Sequence, residues 1–402
     1  MSNRLRLFMQ WTVLAILFLL MMTNASLADT LFQPMYNSSL AKPQPEHIAS
    51  SLADKNLNEL RYALANYQNA ESHPWPMVPE THKLLKVGSK NSTVAILRER
   101  LLITNDLPTA FNRNDNLFDR PLGQAVRVFQ ARHGLKADGV VGTNTLRELN
   151  ITPAERAKQI EVNMRRWAEL SDKLTDRFVM VNIPEYELYV YENNEKVFSM
   201  KTIVGKITNQ TPELQSSILR IVFNPYWNIP ETIARKEIVK KVAENPGYLD
   251  ENRIRIFESQ ENNAIEMNQE DVNWQRSDAR TFPYFLRQEP GEDNSLGVIK
   301  FEFQNSQDVY LHDTPAKELF NEDTRALSHG CVRLENPVAL VDYLMKTNPE
   351  WDEDRMQSIL DTGKTTYVRV PQSLPIFITY ITAWIDENGA VNFRDDVYGK
   401  DQ

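Results

Sequence analysis

The sequence predicts a multidomain α+β protein in which a small helical domain precedes a mostly β domain with a helical and loop insertion. Three observations support this fold class. Apolar residues repeat at helical spacing up to about residue 174, and from Phe178 onward they form runs rich in β-branched and aromatic residues. The chain has 402 residues with 42% hydrophobic content, which is enough for two or three compact units.

The charge balance and the cysteine count exclude several classes of function. The chain has 45 Lys and Arg against 54 Asp and Glu, a formal net charge of −9. No basic surplus is available to coat a phosphate backbone, so we expect no nucleic-acid partner. Cys331 is the single cysteine, which excludes an internal disulfide and any multi-cysteine metal site. We expect neither a cofactor nor a metal.

Residues 1–28 have the features of an export signal. Arg4 and Arg6 form a short positive region, Trp11 to Met22 is an almost unbroken apolar run, and Ser26-Leu27-Ala28 offers small residues for cleavage. Because the apolar run is short for a bilayer span, we expect cleavage after the last of these residues. An uncleaved anchor is the alternative, and it is the only membrane contact that the sequence suggests.

The helical part divides into three segments. Residues 29–84 are polar and interrupted by prolines, with one helix near Leu57 to Tyr67. Residues 85–150 form a helical module in which Asp138-Gly139 makes a turn. Residues 151–177 form a linker helix.

Residues 178–402 form the mostly β domain. β-rich runs include 178–184, 187–191, 197–203, 218–223, 298–303, 366–370 and 376–385. Tyr226 and Trp227 are expected in the sheet and its core. Residues 231–285 interrupt the pattern with a short helix and a polar, acidic stretch. This insertion is either a lid over a functional site or a solvated excursion.

The stretch from Ser328 to Arg333, with His312 upstream, has the composition of a nucleophilic site. A thiol of ordinary pKa is mostly protonated at neutral pH, so a nucleophilic Cys331 needs a base such as His312. Asp313 or a backbone carbonyl could hold the imidazole tautomer. Gly330 lets the backbone approach a reacting carbonyl, where the amides around it could stabilise an oxyanion.

Three other roles could account for the lone cysteine. Free cysteines are often small buried hydrophobes, but an exported protein tends to lose unpaired thiols, so a retained one points to reactivity. His312, His329 and Cys331 could together hold a zinc ion. A papain-like protease would have its cysteine near the mature N-terminus and its histidine far downstream, the reverse of the order found here.

Residues 85–150 closely resemble the peptidoglycan-binding domain of bacterial cell-wall enzymes. The resemblance rests on Phe129-Gln130, Gly134-Leu135, Asp138-Gly139-Val140-Val141-Gly142 and Thr145. It implies binding to the wall. A three-helix bundle with no binding function is the alternative, because these glycines also serve turns and caps.

Residues 178–402 resemble the L,D-transpeptidases with a YkuD-type catalytic domain. His312, Ser328-His329-Gly330-Cys331 and Arg333 match the signature of that family. Residues 224–230, 287–288, 296–297 and the 384–398 tail are similar to its larger YcbB-like branch. The resemblance implies that Cys331 is the nucleophile and His312 its base, and that His329, Gly330 and Arg333 shape the site. The 231–285 insertion would then be a capping subdomain.

The resemblance implies a periplasmic enzyme that forms cross-links between peptidoglycan stem peptides through a thioester. Arg333 and Ser328 are the expected substrate-binding residues. Arg333 would bind a substrate carboxylate, or pair internally with Glu335 or another acid. The alternatives are an enzyme of the same fold that attaches a protein or a D-amino acid to the stem or hydrolyses it, and a catalytically silent wall-binding protein.

Overall fold

The computed structural model describes residues 51–113, 115–261, 264–272, 274 and 282–402. The predicted signal, residues 1–28, lies outside the described residues. Within the described part, no helix combines the length and the apolar character that a membrane span requires. The chain forms two compact units. The first unit contains the described residues up to Lys173, together with Ile381–Asp396 and Asp401–Gln402. The second unit contains Leu174–Tyr380 and Val397–Lys400.

The first unit is mainly helical, as the sequence predicts. Its helices are α1 (Leu52–Ala70), α2 (Thr93–Ile103), α3 (Arg120–Arg132), α4 (Thr143–Leu149) and α5 (Pro153–Ser171). Side chains cap three of these helices at their N-termini, which satisfies amides that the helix leaves unpaired. Ser51 and Thr152 form capping boxes on α1 and α5, and Asp119 caps α3.

Buried Gln130 organises the helical module between α2 and α4. Its side-chain amide donates to Asp138 at 3.0 Å and to Thr145 at 3.1 Å, and its oxygen accepts from the Gly139 amide at 2.8 Å. Gly139 has φ +74°, a backbone conformation that favours glycine. The predicted Asp138-Gly139 turn is therefore present and is fixed by a buried side chain.

A hairpin near the C-terminus also belongs to the first unit. It consists of Ala383–Ile385 paired with Val391–Phe393. Asn163 on α5 donates to the Thr382 hydroxyl at 2.7 Å, and Asn56 on α1 accepts from the Ile385 amide at 2.8 Å. From the sequence, these residues were expected in the segment 178–402, because an alternating pattern does not reveal which core a hairpin joins.

In the described part of the second unit, nine strands pair in a closed circuit and four others form a separate sheet. The strands are β1 (Arg177–Asn182), β2 (Glu187–Glu192), β3 (Glu195–Gly205), β4 (Leu214–Phe223), β5 (Trp227–Ile229), β6 (Ile254–Phe257), β7 (Glu266–Met267), β8 (Phe285–Gln288), β9 (Ile299–Phe303), β10 (Leu311–His312), β11 (Ala326–Ser328), β12 (Val332–Leu334) and β13 (Thr366–Thr379). The main sheet has the order β11-β3-β12-β10-β9-β4-β13-β1-β2, and β2 also pairs with β3. Alternate residues of these strands fill one apolar core.

The insertion forms a separate small layer in the second unit. It contains α6 (Glu231–Ile233), a π-helical turn (Ala234–Ile238), α7 (Val239–Glu244) and α8 (Tyr248–Glu251), with a four-stranded sheet of order β5-β8-β6-β7. These elements share their own apolar core. We call residues 227–288 the cap. The helical start of the insertion agrees with the sequence, whereas its sheet was not predicted.

Two further helices, α9 (Pro337–Met345) and α10 (Glu353–Asp361), follow β12. Asn336 caps α9, with its side chain accepting from the Ala339 amide, and Pro337 occupies the first turn, where no amide donor is needed. Leu340, Val341 and Leu344 on α9 join the sheet core. The mixed α+β class is confirmed, with a helical region followed by a mostly β domain that also carries helices.

Candidate active site

Two short parallel strands bring four reactive or charged residues to one face of the sheet. β10 and β12 pair with Leu311 opposite Val332 and His312 opposite Arg333. Leu311 and Val332 are fully buried in the core, and side chains alternate along a strand. The residues that face away from the core are therefore Tyr310, His312, Cys331 and Arg333.

The Cys331 thiol is half-buried and contacts an acceptor as well as donors. Its Sγ lies 3.8 Å from the Asp308 carbonyl oxygen. Burial raises the pKa of the thiol, while the amide and hydroxyl of Tyr310 and the charges of Lys300 and Arg333 act in the opposite direction. The thiol is therefore protonated at neutral pH, and the thiolate would form among donors and cations that stabilise it.

The His312 ring is buried and neutral. Its Nδ1 lies 2.5 Å from the Asp313 carbonyl oxygen, so Nδ1 donates a hydrogen and Nε2 is left able to accept a proton. Burial and the nearby charge of Arg333 lower the pKa of His312 to about 3. No hydrogen bond joins His312 to Cys331 among the described residues. His312 pairs with Arg333 across β10 and β12, two residues along the chain from Cys331.

Asp313 holds the His312 tautomer through its backbone, one of the two options that the sequence left open. The Asp313 carboxylate accepts from Lys317 at 2.7 Å and from the Val298 amide at 3.1 Å. A Cβ at Gly297 would lie 2.3 Å from a carboxylate oxygen of Asp313. The close approach explains why glycine occupies position 297.

Ser328 and Gly330 shape the loop before Cys331. The Ser328 hydroxyl donates to the Cys331 carbonyl at 2.6 Å and accepts from the Gly330 amide at 3.1 Å. Gly330 has φ +121°, which favours glycine. The Gly330 amide is thus engaged, whereas the Cys331 amide has no acceptor among the residues that the structure describes. The structure places Ser328 on this backbone, and its substrate-binding role stays a prediction.

Among the residues that the structure describes, Arg333 presents a guanidinium without an acidic partner. Its Nε is buried and has no hydrogen-bond partner in the described part of the chain. Burial lowers its pKa, and the negative charge of a Cys331 thiolate opposes that shift. Glu335, the internal partner considered from the sequence, accepts instead from the Lys201 amide at 3.3 Å. Arg333 is therefore available to an anion that enters the site.

His329 connects the loop to the cap. Its Nε2 lies 2.6 Å from a carboxylate oxygen of Glu237, on the π-helical turn, and 3.3 Å from Lys206. The side chain is 31% exposed. His329 therefore contacts the cap and the end of β3.

Three residues of this site were missed in the sequence. Tyr310 contacts the Cys331 sulfur, and the Trp227 side chain contacts the Tyr310 hydroxyl. Lys300 lies 4.2 Å from the Tyr310 ring centroid. Tyr310 was detectable, because it precedes His312 by two residues and so shares its face. Trp227 is half-buried and Tyr226 is 48% exposed, so the expectation of a core position fails for Tyr226.

A metal-binding arrangement does not occur among the described residues, since no group of three or more His, Cys, Asp or Glu side chains could hold an ion there. The zinc alternative requires His312, His329 and Cys331 to converge. The ring nitrogens of the two histidines instead contact the Asp313 carbonyl and Glu237.

Comparison with known families identifies both parts of the chain. Residues 176–366 match the L,D-transpeptidase catalytic domain family YkuD. The chain therefore contains a YkuD-family L,D-transpeptidase catalytic domain. Residues 91–149 match a family described as "Putative peptidoglycan binding domain". Both resemblances seen in the sequence are confirmed at the level of the domain family.

Individual relatives are consistent with the L,D-transpeptidase family. A Haemophilus influenzae protein named "Putative L,D-transpeptidase" is 34% identical over 258 residues, which cover 64% of this chain and 50% of the relative. This chain thus spans about half the length of that relative.

Solved structures of two further L,D-transpeptidases are more distant. The Stackebrandtia nassauensis protein shares 14% identity with a TM-score of 0.28 and covers 76% of this chain and 96% of its own. The Mycobacterium smegmatis protein shares 13% identity with a TM-score of 0.24 and covers 51% and 58%. These TM-scores are too low to establish a shared overall fold.

Proposed function

We propose that this protein is a periplasmic L,D-transpeptidase that cross-links peptidoglycan stem peptides through a thioester on Cys331. The supporting observation is the parallel pairing of β10 and β12 inside a YkuD-family domain. It gathers on one face the half-buried Cys331 thiol, the neutral His312 ring and the Arg333 guanidinium, whose Nε has no partner among the described residues. Acyl transfer requires such a nucleophile, base and anion-binding group.

In the first half-reaction His312 Nε2 takes the thiol proton as Cys331 Sγ attacks a stem carbonyl carbon. The new carbon–sulfur bond gives a tetrahedral oxyanion, which the Cys331 amide and the Tyr310 hydroxyl can stabilise. As the oxyanion collapses, the carbon–nitrogen bond to the terminal D-residue breaks. The leaving nitrogen takes the proton from His312, which leaves a thioester and a neutral ring.

In the second half-reaction an amine of another stem attacks the thioester carbon. His312 takes the proton from the attacking nitrogen, a carbon–nitrogen bond forms and the carbon–sulfur bond breaks. The departing sulfur recovers the proton from His312. The resting thiol and a cross-linked product result, so no external oxidant or cofactor enters the balance.

Arg333 would bind a carboxylate of the stem, because a half-buried guanidinium whose Nε has no partner in the described part of the chain favours an anion. Ser328, Gly330 and His329 would shape the loop, with Ser328 and Gly330 acting through the backbone. His312 is a better candidate base than His329, whose Nε2 contacts Glu237.

The organisation of the chain supports the same function. We propose that residues 1–28 are an export signal, that 29–84 form an N-terminal segment, and that 85–150 bind the wall. Residues 151–177 link this module to the catalytic domain. Export and cleavage of the signal would place the protein in the periplasm. An uncleaved signal is the alternative, and it would be the membrane contact.

The test incubates the purified full chain with tetrapeptide muropeptides and identifies the products by mass spectrometry. Cys331→Ala should abolish cross-linking, and His312→Ala should slow it by about two to four orders of magnitude, the usual contribution of a general base. Tyr367→Phe, an exposed substitution on β13, is the control. Cross-linking by Cys331→Ala would refute the mechanism. Products that are trimmed stems or stems linked to D-amino acids would refute cross-linking while retaining the thioester.

A further inference from the structure

A buried network of hydrogen bonds holds the Cys331 loop from behind. The Thr211 hydroxyl accepts from the Gly205 amide at 2.8 Å and donates to the Gly330 carbonyl at 2.8 Å. The Thr211 amide donates to the Tyr398 hydroxyl at 3.2 Å, and that hydroxyl donates to the Gly205 carbonyl. Thr211 is fully buried. The proposed reaction uses neither Thr211 nor Tyr398 directly.

Tyr398 is itself firmly held. It lies in Val397–Lys400, the segment that belongs to the second unit although the preceding hairpin belongs to the first. Its amide donates to the Tyr380 hydroxyl at 2.7 Å, and the two rings stack with centroids 5.6 Å apart. The match to the catalytic family ends at residue 366, so Tyr398 lies outside the matched segment.

Close packing at the end of β3 fixes the position of Thr211. A Cβ on Gly205 would lie 2.1 Å from the Asn209 carbonyl oxygen and 2.6 Å from the Thr211 amide nitrogen. Gly205 also pairs with Ser328 across β3 and β11. The end of β3 therefore joins the turn that carries Thr211 to the strand that leads into the Cys331 loop.

The network fixes the direction of one particular amide. A peptide unit is planar, and every one that the structure describes is trans, so the carbonyl of one residue and the amide of the next point in opposite directions. Thr211 holds the Gly330 carbonyl, which sets where the Cys331 amide points. Ser328 holds the Cys331 carbonyl on the other side. The Cys331 amide is thereby fixed in direction.

We propose that Thr211 and Tyr398 are positioning residues that direct the Cys331 amide at the oxyanion formed during acyl transfer. The inference rests on Cys331 being the nucleophile of the proposed function. Removing a donor to such an oxyanion typically costs about 10²–10³ in rate. Loosening the donor without removing it should cost less, about 10–100-fold.

The test compares two reactions of the full chain at the sole cysteine. p-Nitrophenyl acetate transfers its acetyl group to Cys331 through a tetrahedral oxyanion and releases p-nitrophenolate. Iodoacetamide alkylates the same sulfur by displacing iodide, with no oxyanion. The Cys331 sulfur gives up its proton in both reactions, so the ratio of their rates isolates oxyanion stabilisation. Mass spectrometry of the peptide that contains Cys331 measures both.

Thr211→Val should lower the ratio of acetylation to alkylation about 10–100-fold, and Tyr398→Phe should lower it severalfold. Thr211→Ser retains the hydroxyl and should restore the wild-type ratio. Tyr367→Phe, an exposed change of the same kind, should leave it unaltered. On a stem donor the loss should appear in kcat and not in KM.

A wild-type ratio in both Thr211→Val and Tyr398→Phe would overturn the inference. A parallel fall of both rates would also overturn it, because the residues would then act on the thiol or on general stability. If Thr211→Val yields no folded protein, Tyr398→Phe decides, since it keeps the buried ring. A wild-type chain that is acetylated but forms no cross-links contradicts the proposed function and leaves this test valid.

Discussion

At the scale of single residues, Cys331 and His312 are both uncharged before reaction. Burial raises the pKa of the thiol and lowers that of the imidazole to about 3. A preformed ion pair of thiolate and imidazolium is thus unfavourable in the resting site. Proton transfer would have to accompany the attack on the substrate, when Tyr310, Lys300 and Arg333 stabilise the forming charge.

Tyr310→Phe tests this electrostatic account. Alkylation of the wild-type Cys331 by iodoacetamide should rise with pH, with a midpoint above the ordinary thiol value of about 8.5. The Tyr310 hydroxyl favours the thiolate. Its removal should move the midpoint up and slow alkylation at pH 7. Tyr226→Phe, which alters an exposed ring, is the control.

His312 should add no inflection to the same profile between pH 5 and 7, because its ring is already neutral there. An unchanged midpoint in Tyr310→Phe would contradict the donor role of its hydroxyl. A midpoint near neutrality in the wild type would contradict the protonated resting thiol.

The sequence pointed to some of these residues because their chemistry is rare in the chain. Cys331 is the only cysteine and His312 is one of six histidines, so their proximity to one motif was informative. Thr211 and Tyr398 belong to common residue types and lie far apart in sequence. Their connection depends on the approach of the β3 end to the Cys331 loop, which no local pattern encodes.

At the scale of secondary structure, β2 begins with a carboxyl group in an unfavourable setting. Burial raises the pKa of Glu187 to about 7, the nearby Glu185 adds to the shift, and Arg325 opposes it. The ordinary pKa of a glutamate side chain is about 4.3. Because the folded state raises this pKa, protonated Glu187 contributes its full share to the free energy of unfolding below pH 4. That contribution is lost as the pH rises through 7.

Glu187→Gln should therefore raise the Tm at pH 8 and leave it nearly unchanged at pH 4. Glutamine mimics the protonated form that the fold prefers. Because the side chain is 23% exposed, we expect a gain on the order of 1–2 kcal/mol at pH 8. Glu195→Gln, at the exposed start of β3, is the control and should leave the Tm unaltered at both pH values. A lower Tm for Glu187→Gln at pH 8 would show that its pair with Arg325 dominates.

The elements of the main sheet were more predictable than those of the cap. β1 buries the consecutive residues Phe178 to Asn182 and β4 buries Ile221 to Phe223, and such continuous, largely apolar runs are a strong local pattern. The cap strand β7 has only two residues, and β5 has three. Such short strands depend on pairing partners distant in the chain, so the sequence predicted the helix of the insertion and not its sheet.

At the scale of the whole molecule, the two matched families lie in different compact units. Residues 91–149 belong to the first unit and the site around Cys331 to the second. Each unit has its own apolar core. We therefore expect wall binding and acyl transfer to be separable by substitution.

Cys331→Ala in the full chain should sediment with purified sacculi as the wild type does, with an affinity within about twofold, because domains with separate cores respond independently to distant changes. The same variant should form no covalent adduct with a carbapenem. Intact-mass spectrometry of the bound fraction measures both properties in one sample. Weaker sedimentation of Cys331→Ala would mean that the wild type is retained by thioesters to the wall, and the binding assigned to residues 85–150 would then have to be withdrawn.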